Sequence, residues 1–145
     1  MNAPLIIDKQ LIAHDFRVAM HGKLEPEKIY DVTKTLVASR KSYPAKGSLA
    51  SLIFYLKFQL NITDGKSFDG HAGSASSPGG GTFFGHVYTD DLERLYRDTV
   101  SFEFQATPVY LSILYFDSHS KLLGHFQTGA VSIVTGVGGG KGKWH

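Results

Sequence analysis

The sequence predicts an all-β barrel domain that is preceded by an α-helical segment. Three observations support this fold class. From residue 49 onward, apolar and polar residues alternate with the period of two that is typical of strands with one buried face. Residues 55–84 and 110–144 contain the same signals in the same order, namely a strand, an aspartate turn, a Gly-His pair and a glycine triplet. In the first third of the chain, apolar residues instead recur at helical spacing. The repeat indicates two related β units that close on one core.

The N-terminal third is predicted to form two helices that a linker joins to the barrel. The first helix begins after Asp8, which can cap it, and ends at Gly22, and the second begins after Pro26. Residues 42–47 are predicted to be the linker because they contain a proline and a glycine. The apolar residues that recur at helical spacing are Leu11, Ile12, Phe16, Ala19 and Met20 in the first helix and Ile29, Tyr30, Val32, Leu36 and Val37 in the second.

The strand region begins with a long predicted strand over residues 50–62. Its alternating apolar positions are Ala50, Leu52, Phe54, Leu56, Phe58, Leu60 and Ile62. Further strands are predicted over residues 100–106, 109–116 and 122–136, and one short helix over residues 90–97. Asp90 or Asp91 can cap this helix. Because Leu, Phe and Ile crowd the inner face, the strands predict a small antiparallel barrel with a filled interior.

Composition limits the classes of protein that the chain can represent. With 145 residues, 42% of them hydrophobic, the chain is long enough for one domain with a proper core. The absence of cysteine excludes a disulfide framework and thiolate zinc sites. A formal net charge of +2, with a mild basic excess in residues 1–48, is too weak to predict a nucleic-acid partner. No stretch has the length of a transmembrane helix, and the N-terminus lacks the basic end and long apolar run of a signal peptide.

No catalytic, metal or cofactor site is predicted. The chain contains no nucleophile motif, so we predict that it is not an enzyme. His71 and His125 follow a glycine at equivalent places in the repeat, which raises metal binding and pH sensing as hypotheses, but ordinary polar turn residues are the commoner explanation. The glycine triplets at residues 79–81 and 138–140 lack the Lys-Ser/Thr ending and the following helix of a phosphate loop. We predict instead that they allow close backbone approach at barrel corners.

Several runs of residues resemble one known family over about residues 49–145. These runs are residues 85–102 (GHVYTDDLERLYRDTVSF), 116–117 (FD), 123–125 (LGH), 129–132 (GAVS) and 136–144 (GVGGGKGKW), with YLKF at 55–58 and FDG at 68–70. The pattern resembles the Vap family, the virulence-associated proteins of actinobacterial intracellular pathogens. The resemblance implies a compact eight-stranded barrel of two Greek-key units with a short helix, in agreement with the repeat.

The same resemblance implies a location and an activity. Members of the family are exported, act inside the phagosome or endolysosome of a host phagocyte, and have no established catalytic site. The best-described member is linked to binding acidic phospholipid, neutralising lysosomal pH and blocking phagosome maturation. The family carries a signal peptide and a flexible polar segment ahead of the barrel, whereas residues 1–48 here carry two predicted helices and no leader. The resemblance therefore predicts secretion into a host compartment without defining the export route.

Together these observations lead to the hypothesis of a non-enzymatic, virulence-associated protein that acts at host phagosome or endolysosome membranes. We divide the chain into an N-terminal helical extension, residues 1–48, and a barrel domain, residues 49–145. If the protein binds acidic phospholipid directly, the candidate contacts are Arg94 and Arg97, although neighbouring acids explain each of them more simply. Two alternatives stay open. One is a module that binds a host protein through the barrel exterior and the helices, and the less favoured one is a small-ligand-binding barrel, which needs a hollow interior. The oligomeric state is not predicted.

Overall fold

A computed structural model shows a closed barrel of eight antiparallel strands with two helices packed on its outside and a third helix at one end. The structure describes residues 8–39, 41–73, 78–129 and 135–145. The predicted fold class is confirmed. The elements are α1 (Lys9–Met20), α2 (Pro26–Ala38), β1 (Ser42–Ser51), β2 (Leu56–Ile62), β3 (Ser67–Ala72), β4 (Gly79–Tyr88), α3 (Leu92–Asp98), β5 (Ser101–Ala106), β6 (Tyr110–Phe116), β7 (Leu122–Gly129) and β8 (Gly136–Trp144).

All three helices occur in the predicted regions, with α3 at Leu92–Asp98 instead of residues 90–97. The side chain of Asp8 caps α1 by accepting a hydrogen bond from the Leu11 backbone N–H at 3.1 Å. Gly22 follows the end of α1 with a φ of 80°, the left-handed conformation that glycine adopts at little cost. In α3 the cap is Asp91, whose carboxylate accepts from the Arg94 N–H at 3.0 Å. Side-chain caps therefore mark the starts of α1 and α3, whereas α2 begins at Pro26 without a side-chain cap.

The strand order confirms that the barrel consists of two equivalent halves. Around the barrel the strands follow the order β1-β2-β3-β8-β5-β6-β7-β4. In the first half β4 returns to pair with β1, and in the second half β8 returns to pair with β5, which is the Greek-key arrangement. The two halves join where β3 pairs with β8 and where β4 pairs with β7. Every strand of the described barrel has two neighbours, and β4 and β7 pair at His86, Val87 and Tyr88.

Two sequence predictions around residue 50 are wrong. Residues 42–47 are not a linker but the first part of β1, and the predicted strand over residues 50–62 is interrupted by the hairpin turn at residues 52–55. Pro44 is tolerated because β2 pairs with β1 only from Ala45 onward, so no ladder bond to β2 requires the missing N–H. Gly47 is required because a Cβ there would lie 2.1 Å from the Gln59 carbonyl oxygen. Pro44 and Gly47 are therefore both compatible with a strand at these positions.

The second glycine triplet lies within a strand and brings two neighbouring strands close together. Gly138, Gly139 and Gly140 belong to β8, and a Cβ on Gly140 would lie 1.9 Å from the His71 carbonyl oxygen of β3. Close backbone approach is thus confirmed, but along the strand rather than at a corner. The predicted strand over residues 122–136 comprises β7 and the start of β8, while its residues 130–134 lie outside the described residues.

The interior of the barrel is filled with apolar side chains, as predicted. Phe68 is fully buried, and its ring lies 4.9 Å from that of Tyr115, 5.7 Å from that of Phe102 and 5.3 Å from that of Trp144. Phe58 extends the cluster, with its ring 5.2 Å from that of Phe104. Edge-to-face and tilted contacts at these separations are favourable for aromatic rings. A packed interior leaves no lumen within the described barrel, which removes the small-ligand-binding barrel as a hypothesis.

A second apolar cluster attaches the N-terminal helices to the outside of the barrel. Its helical members are Ile12, Ala13, Phe16, Met20, Val32 and Leu36, and its strand members are Tyr110, Leu114, Phe116 and Leu122. A hydrogen-bond network supports it: the Tyr110 hydroxyl donates to Asp15 Oδ2 of α1 at 2.5 Å, and the Gln105 side-chain amide donates to the Asp15 carbonyl at 3.3 Å. The helices therefore dock on β5, β6 and β7.

Candidate functional site

The two arginines that the sequence singled out lie on α3 and are paired with acids. Arg97 makes a bidentate contact with Asp98, with Nε 2.9 Å from Oδ1 and Nη2 3.2 Å from Oδ2. Arg94 lies 3.7 Å from Asp98 and 3.8 Å from Asp117. These pairs partly satisfy both guanidinium groups before any partner arrives. Contact of Arg94 and Arg97 with lipid stays a prediction.

The repeat-equivalent histidines have different surroundings. His71 on β3 is exposed, and its ring stacks on that of Tyr55 with centroids 6.1 Å apart. His125 on β7 is fully buried, because α1 and α2 cover its side of the barrel. Its ring stacks on that of Tyr88 at 5.1 Å, and its Nδ1 lies 3.0 Å from the amide nitrogen of Gln127. Thus the helices, and not the repeat, decide the environment of each histidine.

Burial keeps His125 neutral. Desolvation, with a smaller effect from the ammonium group of Lys9, lowers the pKa of His125 to about 3, against a weaker opposing effect of the Leu36 carbonyl. Its Nε2 makes no hydrogen bond of ordinary geometry within the described residues. The unfolded chain binds a proton below about pH 6.5, which folded His125 does not take up until about pH 3. The free energy of unfolding therefore falls as the pH falls through this window.

Glu103 on β5 changes the free energy of unfolding with pH in the opposite direction. Burial raises the pKa of Glu103 to about 7, and the nearby Lys23 cation opposes the shift only in part. Between pH 4.5 and 7, folded Glu103 holds a proton that the unfolded chain releases, so the free energy of unfolding falls as the pH rises. From pH 4.5 to 6.5 the effects of His125 and Glu103 on stability have opposite slopes and largely cancel.

A Glu103→Gln substitution should reveal this compensation. We expect the variant to be more stable than the parent protein by about 2 kcal/mol at pH 8, after allowance for partial solvent exposure, and equally stable near pH 4.5. Denaturant unfolding followed by circular dichroism at several pH values measures the difference. The control is Glu93→Gln, which changes an exposed carboxylate and should show no such pH dependence. Equal stabilities of Glu103→Gln and the parent at pH 8 would contradict the account.

The most exposed apolar side chains of the barrel form the turn between β1 and β2, which we call the apolar hairpin (residues 52–55). Leu52 is 75% exposed and Phe54 74%, and Ile53 and Tyr55 are also exposed. The turn is ordered by two backbone hydrogen bonds, from Leu52 N–H to the Tyr55 carbonyl at 2.8 Å and from Phe54 N–H to the Leu52 carbonyl at 3.0 Å. Contiguous exposed apolar side chains of this kind are a candidate interaction surface.

The backbone of the apolar hairpin favours the same conclusion. Ile53 has a φ of 78°, in the left-handed region that β-branched residues avoid and that glycine or asparagine normally occupies in turns. Such a conformation costs on the order of 1–3 kcal/mol. An isoleucine in this place suggests that an apolar side chain is needed at the tip, because a polar turn residue would fold more easily.

A row of basic side chains follows the apolar hairpin on the outside of the barrel. Lys57 of β2 is the register partner of His71 of β3, which is in turn the partner of Lys141 of β8. All three are exposed, and register partners have Cβ atoms about 5 Å apart. In the next row, Asp69 is already occupied, by the Gln59 amide at 3.0 Å and by His145 Nε2 at 3.1 Å. We call Lys57, His71 and Lys141 the basic row.

The apolar hairpin and Arg94 and Arg97 lie at opposite ends of the barrel. Ser51 at the end of β1 pairs with Gly79 at the start of β4, so β4 begins beside the hairpin and ends far from it, where α3 follows. Sequence reasoning missed the hairpin because Leu52 and Phe54 are in phase with the buried positions of β2, which begin at Leu56. The four adjacent apolar residues at 52–55, which break strict alternation, were the one signal that could have located it.

Metal-ligating clusters and membrane-spanning helices are two further features that bear on function. No group of three or more His, Asp or Glu side chains that could hold a metal ion occurs among residues 8–39, 41–73, 78–129 and 135–145. Within these same ranges, none of the helices has the length and apolarity needed to cross a membrane.

Comparison with known proteins matches the chain to one family. A family model described as Rhodococcus equi virulence-associated protein matches residues 3–145. The solved structure of the virulence-associated protein VapB from the intracellular pathogen Rhodococcus equi is 48% identical, with a TM-score of 0.69, and the match covers 72% of this chain and 96% of that one. The structure of VapD from the same organism is 39% identical, with a TM-score of 0.69 and coverage of 74% and 99%. No curated protein gave a significant match.

Proposed function

We propose that this chain, which belongs to the family of Rhodococcus equi virulence-associated proteins, acts without catalysis at host phagosome or endolysosome membranes by docking on acidic phospholipid. The observation that carries the proposal is the apolar hairpin beside the basic row. We propose that the β1–β2 turn contacts the membrane and that the α3 end of the barrel faces away from it. Secretion into the host compartment is part of the same proposal.

The two features fit two layers of a lipid surface. Leu52, Ile53 and Phe54 would enter the boundary between head groups and acyl chains, where burying each side chain contributes on the order of 1.5–3 kcal/mol. The basic row would then lie beside anionic head groups, where each lysine contributes about 1 kcal/mol. Asp69 in the next row carries the opposite charge, and its register partner there is Lys143 of β8. Apolar insertion and charge thus act at the same end of the barrel.

A double substitution in the apolar hairpin, Leu52→Ser with Phe54→Ser, tests this orientation. We expect affinity for vesicles containing phosphatidylserine or phosphatidic acid to fall at least about tenfold, since two inserted side chains are lost. Co-sedimentation at low salt, at pH 7 and pH 5, measures the affinity of the parent and the variant for these vesicles, and neutral vesicles serve as the reference. Phe84→Ser is the matched control, because Phe84 is 59% exposed in the middle of β4, away from the hairpin.

Two further variants test which end of the barrel binds the membrane. Lys57→Ala with Lys141→Ala should weaken binding and reduce its dependence on salt, because fewer charges face the head groups. Arg94→Ala with Arg97→Ala tests the contacts that the sequence suggested, on the α3 end. If the arginine pair abolishes binding while the hairpin variant binds normally, the membrane-facing surface is the α3 end and the proposed orientation is wrong.

The second candidate function is a module that binds a host protein. It is favoured by exposed apolar side chains on the outer faces of the helices, with Val18 of α1 65% exposed and Tyr30 of α2 63% exposed. These side chains do not belong to the cluster that docks the helices on the barrel. Failure of the parent protein to bind any of the vesicles would favour this candidate over the lipid-binding one.

A further inference from the structure

A cavity outside the barrel has the features of a small-molecule site. It lies between the C-terminal half of α1 and the barrel wall at β5 and β8, with a volume of about 330 Å³. Its lining includes the apolar side chains of Phe16, Met20, Leu24 and Phe116 and the polar residues Ser101 and Ser120, with Gly139 and Gly140 on the β8 side. The volume is at the lower end for ligand sites, which suits one alkyl chain better than a sugar or nucleotide.

One carboxyl group faces this cavity without a partner. Glu103 lies flat against β8, since its Oε2 is 2.7 Å from the place that a Cβ on Gly139 would occupy. Within the described residues it makes neither a hydrogen bond nor an ion pair within 4 Å, and Lys23 remains at the exposed rim of the cavity. A partly buried carboxyl with no protein donor is costly to ionise in the free protein. A ligand that supplies a donor and a positive charge would remove that cost.

We propose that this cavity binds a single-chain amphiphile with a primary amine head group, its ammonium beside Glu103 and its alkyl chain between α1 and the barrel. An ammonium group supplies up to three N–H donors in a compact volume, which matches a carboxyl lying against a glycine. A carboxylate head group would be repelled by Glu103, and a quaternary ammonium has no N–H to donate. The site is separate from the apolar hairpin and does not depend on the membrane proposal.

The ionisation of Glu103 supports this choice of ligand. Because burial raises the pKa of Glu103 to about 7, the carboxylate is present mainly above neutral pH unless a cation stabilises it. Binding an ammonium should therefore lower the pKa of Glu103, and the affinity should be higher at pH 8 than at pH 5. The ligand would also contact Phe16 and Met20, so its binding should strengthen the docking of α1 on the barrel.

Calorimetric titration of the full chain at pH 8 with dodecylammonium, below its critical micelle concentration, tests the proposal. Dodecanoate and dodecyltrimethylammonium are the matched ligands. We expect dodecylammonium to bind at least about tenfold more tightly than either, since a charge-assisted hydrogen bond is made only by the primary amine. Glu103→Gln should weaken it by a similar factor, and the exposed-site control Glu93→Gln should not.

Lys23→Ala gives a second test, because unlike Glu103→Gln it should not weaken amine binding. Removing the chain's own cation from the rim should leave amine binding unchanged or make it tighter, whereas a merely structural role of this region predicts weaker binding. Addition of the amine should also lower the pKa of Glu103, which NMR measures from the chemical shift of the Glu103 carboxyl carbon. Absence of binding, equal affinity for dodecanoate, or full amine affinity in Glu103→Gln would each overturn the proposal.

Discussion

A Gly140→Ala substitution is expected to destabilise the barrel by about 3 kcal/mol, at the upper end of the usual cost of overpacking. The added Cβ would lie 1.9 Å from the His71 carbonyl oxygen and 2.8 Å from the Ala72 Cα. These are backbone atoms of β3, so no side chain can rotate away to make room. On its other side Gly140 pairs with Phe102 of β5, which prevents β8 from shifting in that direction. The strands must separate, and the hydrogen bonds between β3 and β8 must lengthen.

Denaturant unfolding followed by circular dichroism measures this loss, with Gly73→Ala as the matched control. A Cβ on Gly73 would meet nothing within 4 Å, and its φ is not in the left-handed region. The control should therefore be as stable as the parent or slightly more stable, because alanine restricts the unfolded chain. Equal stability of the Gly140 and Gly73 variants would mean that the spacing of β3 and β8 is not as tight as described.

Phe68→Ala is expected to cost about 3–5 kcal/mol, which is typical of removing a fully buried aromatic ring. The ring of Phe68 contacts those of Phe102, Tyr115 and Trp144, which come from the second Greek-key half of the barrel. Its removal would leave a cavity at the junction of the two halves, where β3 pairs with β8. The loss should therefore weaken closure of the barrel and not only local packing.

Thermal and denaturant unfolding of Phe68→Ala should be compared with those of Phe84→Ala. Phe84 is 59% exposed on β4, so its truncation should change the free energy of unfolding by less than about 0.5 kcal/mol. The fluorescence of Trp144, which lies 5.3 Å from the Phe68 ring, should also change in the folded state of the first variant only. A loss below 1 kcal/mol for Phe68→Ala would contradict the description of a tightly filled interior.

The parts of the fold that local chemistry determines could be predicted from the sequence. Asp8 and Asp91 cap their helices where expected, and the repeat foreshadowed the two Greek-key halves. The β1–β2 hairpin could not be placed, because Leu52 and Phe54 are in phase with the buried positions of β2, which hides the change of phase between β1 and β2. The sequence predicts a linker in the first half of β1, since a proline and a glycine usually interrupt strands. Their tolerance depends on pairing with β2 and β4, which the sequence does not reveal.

The candidate site depends still more on tertiary structure. The basic row brings together Lys57, His71 and Lys141, which are far apart in the chain and meet only because β3 pairs with β8. Glu103 looks like an outward-facing strand residue until α1 covers it, and His125 is buried for the same reason. Arg94 and Arg97 were noticeable in the sequence as basic residues on a short helix, but their acidic partners occupy them in the structure.

The depth of the apolar hairpin in a membrane is the most direct test of the proposed orientation. Phe54→Trp places an indole at the exposed tip, while the native Trp144, which is only 6% exposed, provides the background signal of the parent protein. On vesicles containing phosphatidylserine, we expect the added emission to shift to shorter wavelength and to be quenched by lipids brominated near the top of the acyl chains. If Phe54→Trp binds these vesicles and the emission of the added indole neither shifts nor is quenched, the barrel does not dock through this hairpin.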